Sequence, residues 1–457
     1  MVEENIDMLN ALTKEFERQS EEFCNEYIEF ISNAKTERLC VTVAENYLLK
    51  NGFKPYNNSK TYQPGDKIYF KNRNKNIAAF VIGSNKAINS GLQLLGAHID
   101  SPRLDVKANP LYEDGGIAYF DTQYYGGIKK YQWTTIPLAI YGVVCLTNGS
   151  VVNIAIGDKP SDPIFCISDL LPHLDKKLGD KKASDFIPGE KLDIIVGTTP
   201  LQSSTGGDMV KANVLKLLSD EHHFSEEDFY SAELEIVPAG QARYSGFDKS
   251  LIAGYGQDDR VCAYTSLRAV IDNSNDIPEK TFGVILVDKE EIGSCCNTGA
   301  KSRWFEDVLR CVIRPNSEIE FAATLHNTNM LSSDVTAAFD PQFADAYDKK
   351  SSAKLGNGLM LSKYNGGRGK SGGADANPEF IAYVRALFNN NNVKYQFDSM
   401  GKVDVGGGGT IASMICALNI NVLDAGVPIL NMHSPLELAH RLDICNAYLG
   451  YSAFIRG

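Results

Sequence analysis

The chain has ten cysteines and no Cys-x-x-Cys pair among them. That scatter excludes the usual thiolate zinc site and the redox dithiol motif. It predicts a reduced, cytoplasmic protein with free thiols rather than a disulfide scaffold. A basic stripe is missing too: 57 Asp and Glu outweigh 45 Lys and Arg, for a formal charge of −12. Such a surface repels nucleic acid and anionic lipid, so no nucleic acid and no membrane are expected as partners. Long apolar runs are equally absent. The longest, around Ile136 to Leu146, is too short to span a bilayer and contains Pro137. The N-terminal stretch is acidic, with Leu9, Leu12, Phe16, Phe23, Tyr27 and Ile31 at helical spacing, which predicts a helix rather than a signal peptide. No repeats or low-complexity linkers occur, and the Gly-rich segments do not make a phosphate-binding loop.

What is present is ample material for sizeable cores: 457 residues, 43% of them hydrophobic. The most informative segment is Lys289-Glu290-Glu291, directly behind the apolar run Thr281-Phe282-Gly283-Val284-Ile285-Leu286-Val287. That run reads as a buried strand of an α/β sheet, and such sheets place their chemistry just past strand C-termini. Two adjacent carboxylates repel unless something positive holds them, and on a turn they point in different directions. One can then bind a metal while the other handles a proton.

Other segments share this design. The strand-like run from Gly91 to Ala97 ends in His98-Ile99-Asp100, where period-two alternation puts His98 and Asp100 on one side. A carboxylate that fixes a ring N–H is the usual support of a zinc-bound imidazole. Asp258 and Asp259 precede a helical pattern from Val261, and Asp334 follows a short apolar stretch. His433 follows Val427-Pro428-Ile429-Leu430, and Ser434-Pro435 after it predicts a helix start. Together these give two His, three Asp or Glu ligand candidates and one spare Glu. The inventory fits two zinc ions that share a bridging carboxylate, with a free carboxylate as base. Cys295-Cys296, close by, reads as core packing rather than a nucleophile.

Four blocks, Ala97-His98-Ile99-Asp100-Ser101-Pro102-Arg103, Tyr255-Gly256-Gln257-Asp258-Asp259-Arg260-Val261-Cys262-Ala263, Lys289-Glu290-Glu291-Ile292-Gly293-Ser294 and Met432-His433-Ser434, resemble the signature segments of one family. It is the aspartyl aminopeptidase / aminopeptidase I family of co-catalytic zinc exopeptidases, and the likeness favours its bacterial aminopeptidase 1 branch. The resemblance implies an α/β fold, a zinc-exopeptidase-like mixed sheet flanked by helices, with an inserted β-rich dimerisation domain. It implies two Zn2+ per subunit, for which Co2+ or Mn2+ can substitute. Asp258 is then the bridging ligand, His98 and Asp334 complete one site, and Glu291 and His433 complete the other. Glu290 is the general base and Asp100 the orienter of His98. The implied function is removal of the N-terminal residue of peptides by a homo-oligomer, a dodecamer in the family. A co-catalytic zinc deacylase or carboxypeptidase, and a non-catalytic assembly protein on the same fold, are the competing readings.

His98 and Asp258 are 160 positions apart (258 − 98), which an inserted domain explains. The expected division is residues 1–105 and 251–457 for the catalytic domain and 106–250 for the insert, with strands near 117–120, 136–146, 151–156, 192–196 and 234–237. A polar connector from Pro172 to Lys182 and a helix near Val210 to Leu218 interrupt them. In that insert, Leu171-Pro172-His173-Leu174-Asp175 is similar to the family segment that lends a His to a neighbouring subunit's site, so His173 is an expected hydrogen-bond donor to the oxyanion. Lys363-Tyr364-Asn365 matches a Lys-x-Asn element near the side-chain pocket of the aspartyl enzymes, which makes Lys363 a candidate substrate contact. The Gly-rich run Val403 to Thr410 departs from that branch. First-residue preference stays open between acidic and neutral.

Overall fold

The computed structural model describes residue 18 and residues 20–175, 179–202 and 207–457. Leu9, Leu12 and Phe16 of the expected N-terminal helix lie outside the described residues, as do residues 176–178 of the polar connector. The helix runs through residues 20–33, with Tyr27, Phe30 and Ile31 buried. By packing, the chain forms two compact units. One takes residues up to Asp100, then Ala242–Met432 and Leu436–Gly457; the other takes Ser101–Gln241 with His433–Pro435.

The first unit is built on a nine-stranded mixed sheet. In spatial order its strands are Lys54–Pro55, Lys67–Asn72, Asn76–Val81, Phe282–Val287, Gln93–His98, Asn329–Ser332, Asn421–Gly426, Leu359–Ser362 and Tyr395–Asp398. Four neighbours from Phe282–Val287 to Asn421–Gly426 run parallel. A parallel sheet is covered on both faces, so its strands are apolar throughout; every residue of Gln93–His98 and Phe282–Val287 is buried. Period-two alternation sends Leu95, Ala97, Val284 and Leu286 into one core, with Tyr27, Leu267, Phe388 and Phe454. Leu94, Ile285 and Val287 enter a second core with Phe305, Leu309 and Phe321. Helices Glu37–Lys50, Gln257–Asp272, Pro378–Asn390 and Arg441–Arg456 supply the first core; Trp304–Ile313 and Glu318–His326 supply the second. Each such Leu, Ile or Phe contributes about 1.5–3 kcal/mol by leaving water. The result is the expected sheet flanked by helices.

A smaller sheet of the same unit orders Arg243–Ser245, Leu251–Gly254, Glu437–His440, Pro428–Leu430 and Thr336–Ala337. It corrects one expectation, because Ser434-Pro435 starts no helix. Glu437–His440 is a strand instead, antiparallel to Leu251–Gly254 on one side and Pro428–Leu430 on the other. Its burial alternates residue by residue, and pairing along both edges overrides the local helix-start signal. The helix begins at Arg441, where the His440 ring accepts the Leu442 N–H at 3.2 Å.

The second unit carries a six-stranded sheet in the order Val151–Ile156, Leu138–Cys145, Ala232–Pro238, Arg103–Asp114, Ile117–Tyr125 and Ile194–Gly197. Every pair in it is antiparallel. The helix Met209–His222 packs on it through Val210 and Val214. Arg103 is buried there, over the Tyr125 ring at 4.0 Å and paired with Asp105 at 2.8 Å and Glu235 at 3.4 Å.

Candidate active site

The parallel strands of the first unit end along one edge of the sheet. Val287 is level with His98, and Ser332 with both Gly96 and Asp424. His98, the turn after Val287 and Asp334 therefore emerge side by side. The ladder continues one residue beyond the strands, with Ile99 N–H on the Val287 carbonyl at 2.9 Å and Ser333 N–H on the Gly96 carbonyl at 2.6 Å. That fixes the chain where the site residues leave it. Asp258 arrives at the start of Gln257–Asp272, where Asp258 and Asp259 themselves have non-helical backbone.

His98, Asp258 and Asp334 are buried and present ligand atoms within 4.8 Å of one another. His98 Nε2 stands 3.1 Å from Asp258 Oδ1 and 3.8 Å from Asp334 Oδ1. On its other side, Nδ1 is 3.0 Å from the Asp100 carbonyl oxygen and 3.3 Å from Asp100 Oδ1. Nδ1 therefore carries the hydrogen, and Nε2 turns its lone pair toward two carboxylates. Acceptors cannot face each other at that distance without a positive charge between them. A proton is one answer: burial opposes charge on His98, but hydrogen bonds to Asp100 and Asp258 leave its pKa raised well above the ordinary value. A metal is the other. Ligands about 2.0–2.2 Å from a tetrahedral zinc lie roughly 3.4 Å from one another, and 3.1 and 3.8 Å bracket that spacing. Burial also pushes the carboxyls of Asp259 and Asp334 well above the usual range, with neighbouring acids adding to it. A dication relieves that crowding, so imidazole and carboxylate donors here fit zinc.

Glu290 and Glu291 lie on the short 3-10 turn Glu290–Ile292, entered through Lys289 in left-handed backbone. Asp100 holds this turn, its two carboxylate oxygens accepting the Glu290 N–H at 3.1 Å and the Glu291 N–H at 3.2 Å. One carboxylate thus fixes both the imidazole and the Glu-Glu turn. Glu291 offers an oxygen within 4.8 Å of one on Asp258. Burial pushes Asp288, beside this turn, up to about 6.

His433 belongs by packing to the second unit. Its Nδ1 donates to the Gly127 carbonyl at 2.9 Å, so Nε2 carries the ring lone pair. His173 is exposed on a loop of that unit. Lys363 is also exposed, at the head of a Gly-rich loop. Asn365 organises this loop: its Nδ2 donates to Thr410 Oγ1 at 3.0 Å and Asp424 Oδ2 at 2.8 Å, and its Oδ1 accepts the Ala374 N–H at 2.6 Å. Lys370 pairs with Asp375 at 2.7 Å and lies 4.1 Å from the Tyr364 ring centroid. Gly406 and Gly407 serve backbone packing, since a Cβ there meets the Met400 carbonyl oxygen at 2.1 Å and the Gly366 carbonyl oxygen at 2.7 Å.

Two positions escaped sequence reasoning. Glu437 is buried and accepts the Asp258 N–H at 3.1 Å; the false helix start beside it concealed its role. Gly426 ends the strand Asn421–Gly426, and a Cβ there falls 1.6 Å from the Asp334 carbonyl oxygen. Its only sequence signal is a glycine closing an apolar run.

Known proteins resemble the chain over nearly its whole length. The family model described as aminopeptidase I zinc metalloprotease (M18) matches residues 30–455. A relative from Clostridium acetobutylicum named a probable M18 family aminopeptidase 1 is 48% identical, covering 93% of this chain and 92% of its own. The crystal structure of an M18 family aminopeptidase from Thermotoga maritima superposes with a TM-score of 0.92 at 46% identity, over 96% of each chain. The S. cerevisiae mApe1 dodecamer, at 21% identity and a TM-score of 0.76, covers 95% of this chain and 96% of its own, and shares the fold.

Proposed function

The chain belongs to the aminopeptidase I zinc metalloprotease family and is a zinc-dependent aminopeptidase, and we propose on that premise how its residues divide the work. The observation that carries the proposal is the buried His98–Asp258–Asp334 cluster at the sheet edge, beside the Glu290–Glu291 turn. His98, Asp258 and Asp334 would hold one zinc ion, and Asp258, Glu291 and His433 would hold a second. When bound, the metal pair supplies Lewis-acid polarisation of the scissile carbonyl and lowers the pKa of water from about 15.7 toward about 7. Glu290, kept off the metal, takes the proton from the attacking water and returns it to the leaving amine. Asp100 keeps the Nδ1–H tautomer of His98 and holds Glu290 in register through its backbone N–H. Such an oxygen and nitrogen donor set also accepts cobalt or manganese.

The second unit serves as a dimerisation domain within a homo-oligomer, a dodecamer by the family resemblance. In that assembly His173 of one subunit donates a hydrogen bond to the oxyanion in the site of another. The first residue removed is neutral or broad in type as readily as acidic, because Gly366, Gly373, Gly406 and Gly407 pack against backbone and offer no side chain to a charged pocket. No helix among the described residues is long and apolar enough to cross a membrane, and free thiols suit the cytoplasm.

The deciding experiment is hydrolysis of aminoacyl-p-nitroanilides and their N-acetylated twins, with and without a chelator. Cleavage of the free-amine set alone, abolished by chelation and restored by zinc, is the expected result. Cleavage of the acetylated set moves the assignment to a deacylase. Silence on both, with zinc bound, moves it to a non-catalytic assembly protein.

A further inference from the structure

The loop that carries Glu290 and Glu291 also carries two adjacent thiols. Core packing, expected for Cys295-Cys296 from the sequence, does not hold: Cys296 is exposed and Cys295 half-buried. Their sulfurs are 3.6 Å apart, in a turn where Ser294 and Cys296 both take left-handed backbone. Two sulfurs each about 2.3 Å from a shared soft centre stand roughly 3.3–3.8 Å from one another, as the angle at that centre runs from about 90° in a pyramidal trivalent atom to about 110° in a tetrahedral one. The pair is thus already at chelating distance. A disulfide suits it less well. Neighbouring Cα atoms lie about 3.8 Å apart across a trans peptide, short of the usual disulfide range of about 4.4–6.8 Å.

We propose that Cys295 and Cys296 form a second binding site, a chelating dithiol that takes soft thiophiles of the trivalent-arsenical class, and that its occupation disturbs the Glu290–Ile292 turn. The connection is short. Gly293 N–H donates to the Glu290 carbonyl at 2.8 Å, Ser294 N–H to the Lys289 carbonyl at 2.6 Å, and Cys295 Sγ lies 3.8 Å from the Ile292 carbonyl oxygen. With an aryl arsenoxide the reaction balances without oxidation: two As–S bonds form, the As=O bond breaks, and both thiol protons leave with the oxygen as water. Arsenic stays trivalent. The nitrogen and oxygen donors of the zinc cluster are poor competitors for such a soft reagent.

The test treats the full-length, zinc-loaded protein with phenylarsine oxide and reads intact mass, zinc content and turnover. One adduct is expected, mapping to residues 295–296, with zinc retained and turnover down about 10-fold, the scale of disturbed support around a metal site. 2,3-Dimercaptopropanol should reverse both effects, and Cys295→Ser with Cys296→Ser together should abolish both while keeping basal turnover. Cys145 and Cys416, exposed but single, supply the one-thiol comparison. No adduct, an adduct that persists in the double variant, or an adduct that leaves turnover unchanged overturns the proposal. Mass and mapping do not depend on peptidase activity, so failure of the dithiol is distinguishable from failure of the proposed reaction.

Discussion

Two neighbourhoods of the first unit are built on opposite principles. The sheet edge around His98 is buried, held by ladder hydrogen bonds on adjacent strands, and gathers acids around one imidazole. The loops at 363–373 and 403–410 are glycine-rich and largely exposed, and Lys370 is spent on Asp375 just beyond the first of them. Rigid strand ends position chemistry to a few tenths of an ångström, whereas glycine loops pack backbone on backbone and leave few side chains to recognise anything. Substitutions should therefore act strongly at the first and weakly at the second.

The largest effect is expected from Asp258→Asn. It removes the charge shared by both proposed metal positions, so zinc and turnover should be lost together, as read by elemental analysis after gel filtration. Full zinc occupancy in this variant would falsify the bridging role. Glu290→Gln comes next: turnover should fall by at least about 100-fold, the low end for a general base, with zinc content and unfolding midpoint unchanged. Loss of zinc there would show that Glu290 is a ligand instead.

Gly426→Ala tests how far the precision of the edge depends on backbone contact. Its Cβ cannot occupy a position 1.6 Å from the Asp334 carbonyl oxygen, so the segment carrying Asp334 must move. Zinc affinity, measured against a competing chelator, should drop about 10- to 100-fold. In the loops, Asn365→Ala should act on stability alone. It leaves Asp424 with one donor fewer, and burial already holds that carboxyl up at about 6. A cost of about 1–3 kcal/mol is expected in denaturant unfolding, with zinc content untouched.

The same contrast explains what could be read from the sequence. His98, Asp258, Glu291 and Asp334 each follow an apolar run or open a helix, so local pattern placed them at strand ends, and parallel pairing did the rest. The main sheet with its flanking helices was legible for that reason. Glu437 was not, because its strand exists only through pairing with Leu251–Gly254 and Pro428–Leu430, one of them far away in sequence. Nor was the double use of the Asp100 carboxylate, which depends on the Glu290 turn folding back onto it. Gly426 marks the same limit: nothing local distinguishes a glycine required by a carbonyl across the sheet from one that merely ends a strand.

The smallest effect is expected at Lys363, where a family element points to acid recognition and the structure gives little to support it. Lys363 is exposed, and its backbone carbonyl, which accepts the Ala376 N–H at 2.9 Å, ties the loop down independently of the charge. An ammonium in water gains at most about 1 kcal/mol from a carboxylate, or roughly five-fold. Lys363→Ala should therefore change the ratio of kcat/KM for glutamyl- over leucyl-p-nitroanilide by less than about five-fold. A much larger, selective loss on the glutamyl substrate would mean that the loop is ordered around the substrate into a real acidic pocket. The division between a rigid chemical edge and a permissive recognition loop would then fail on its recognition side.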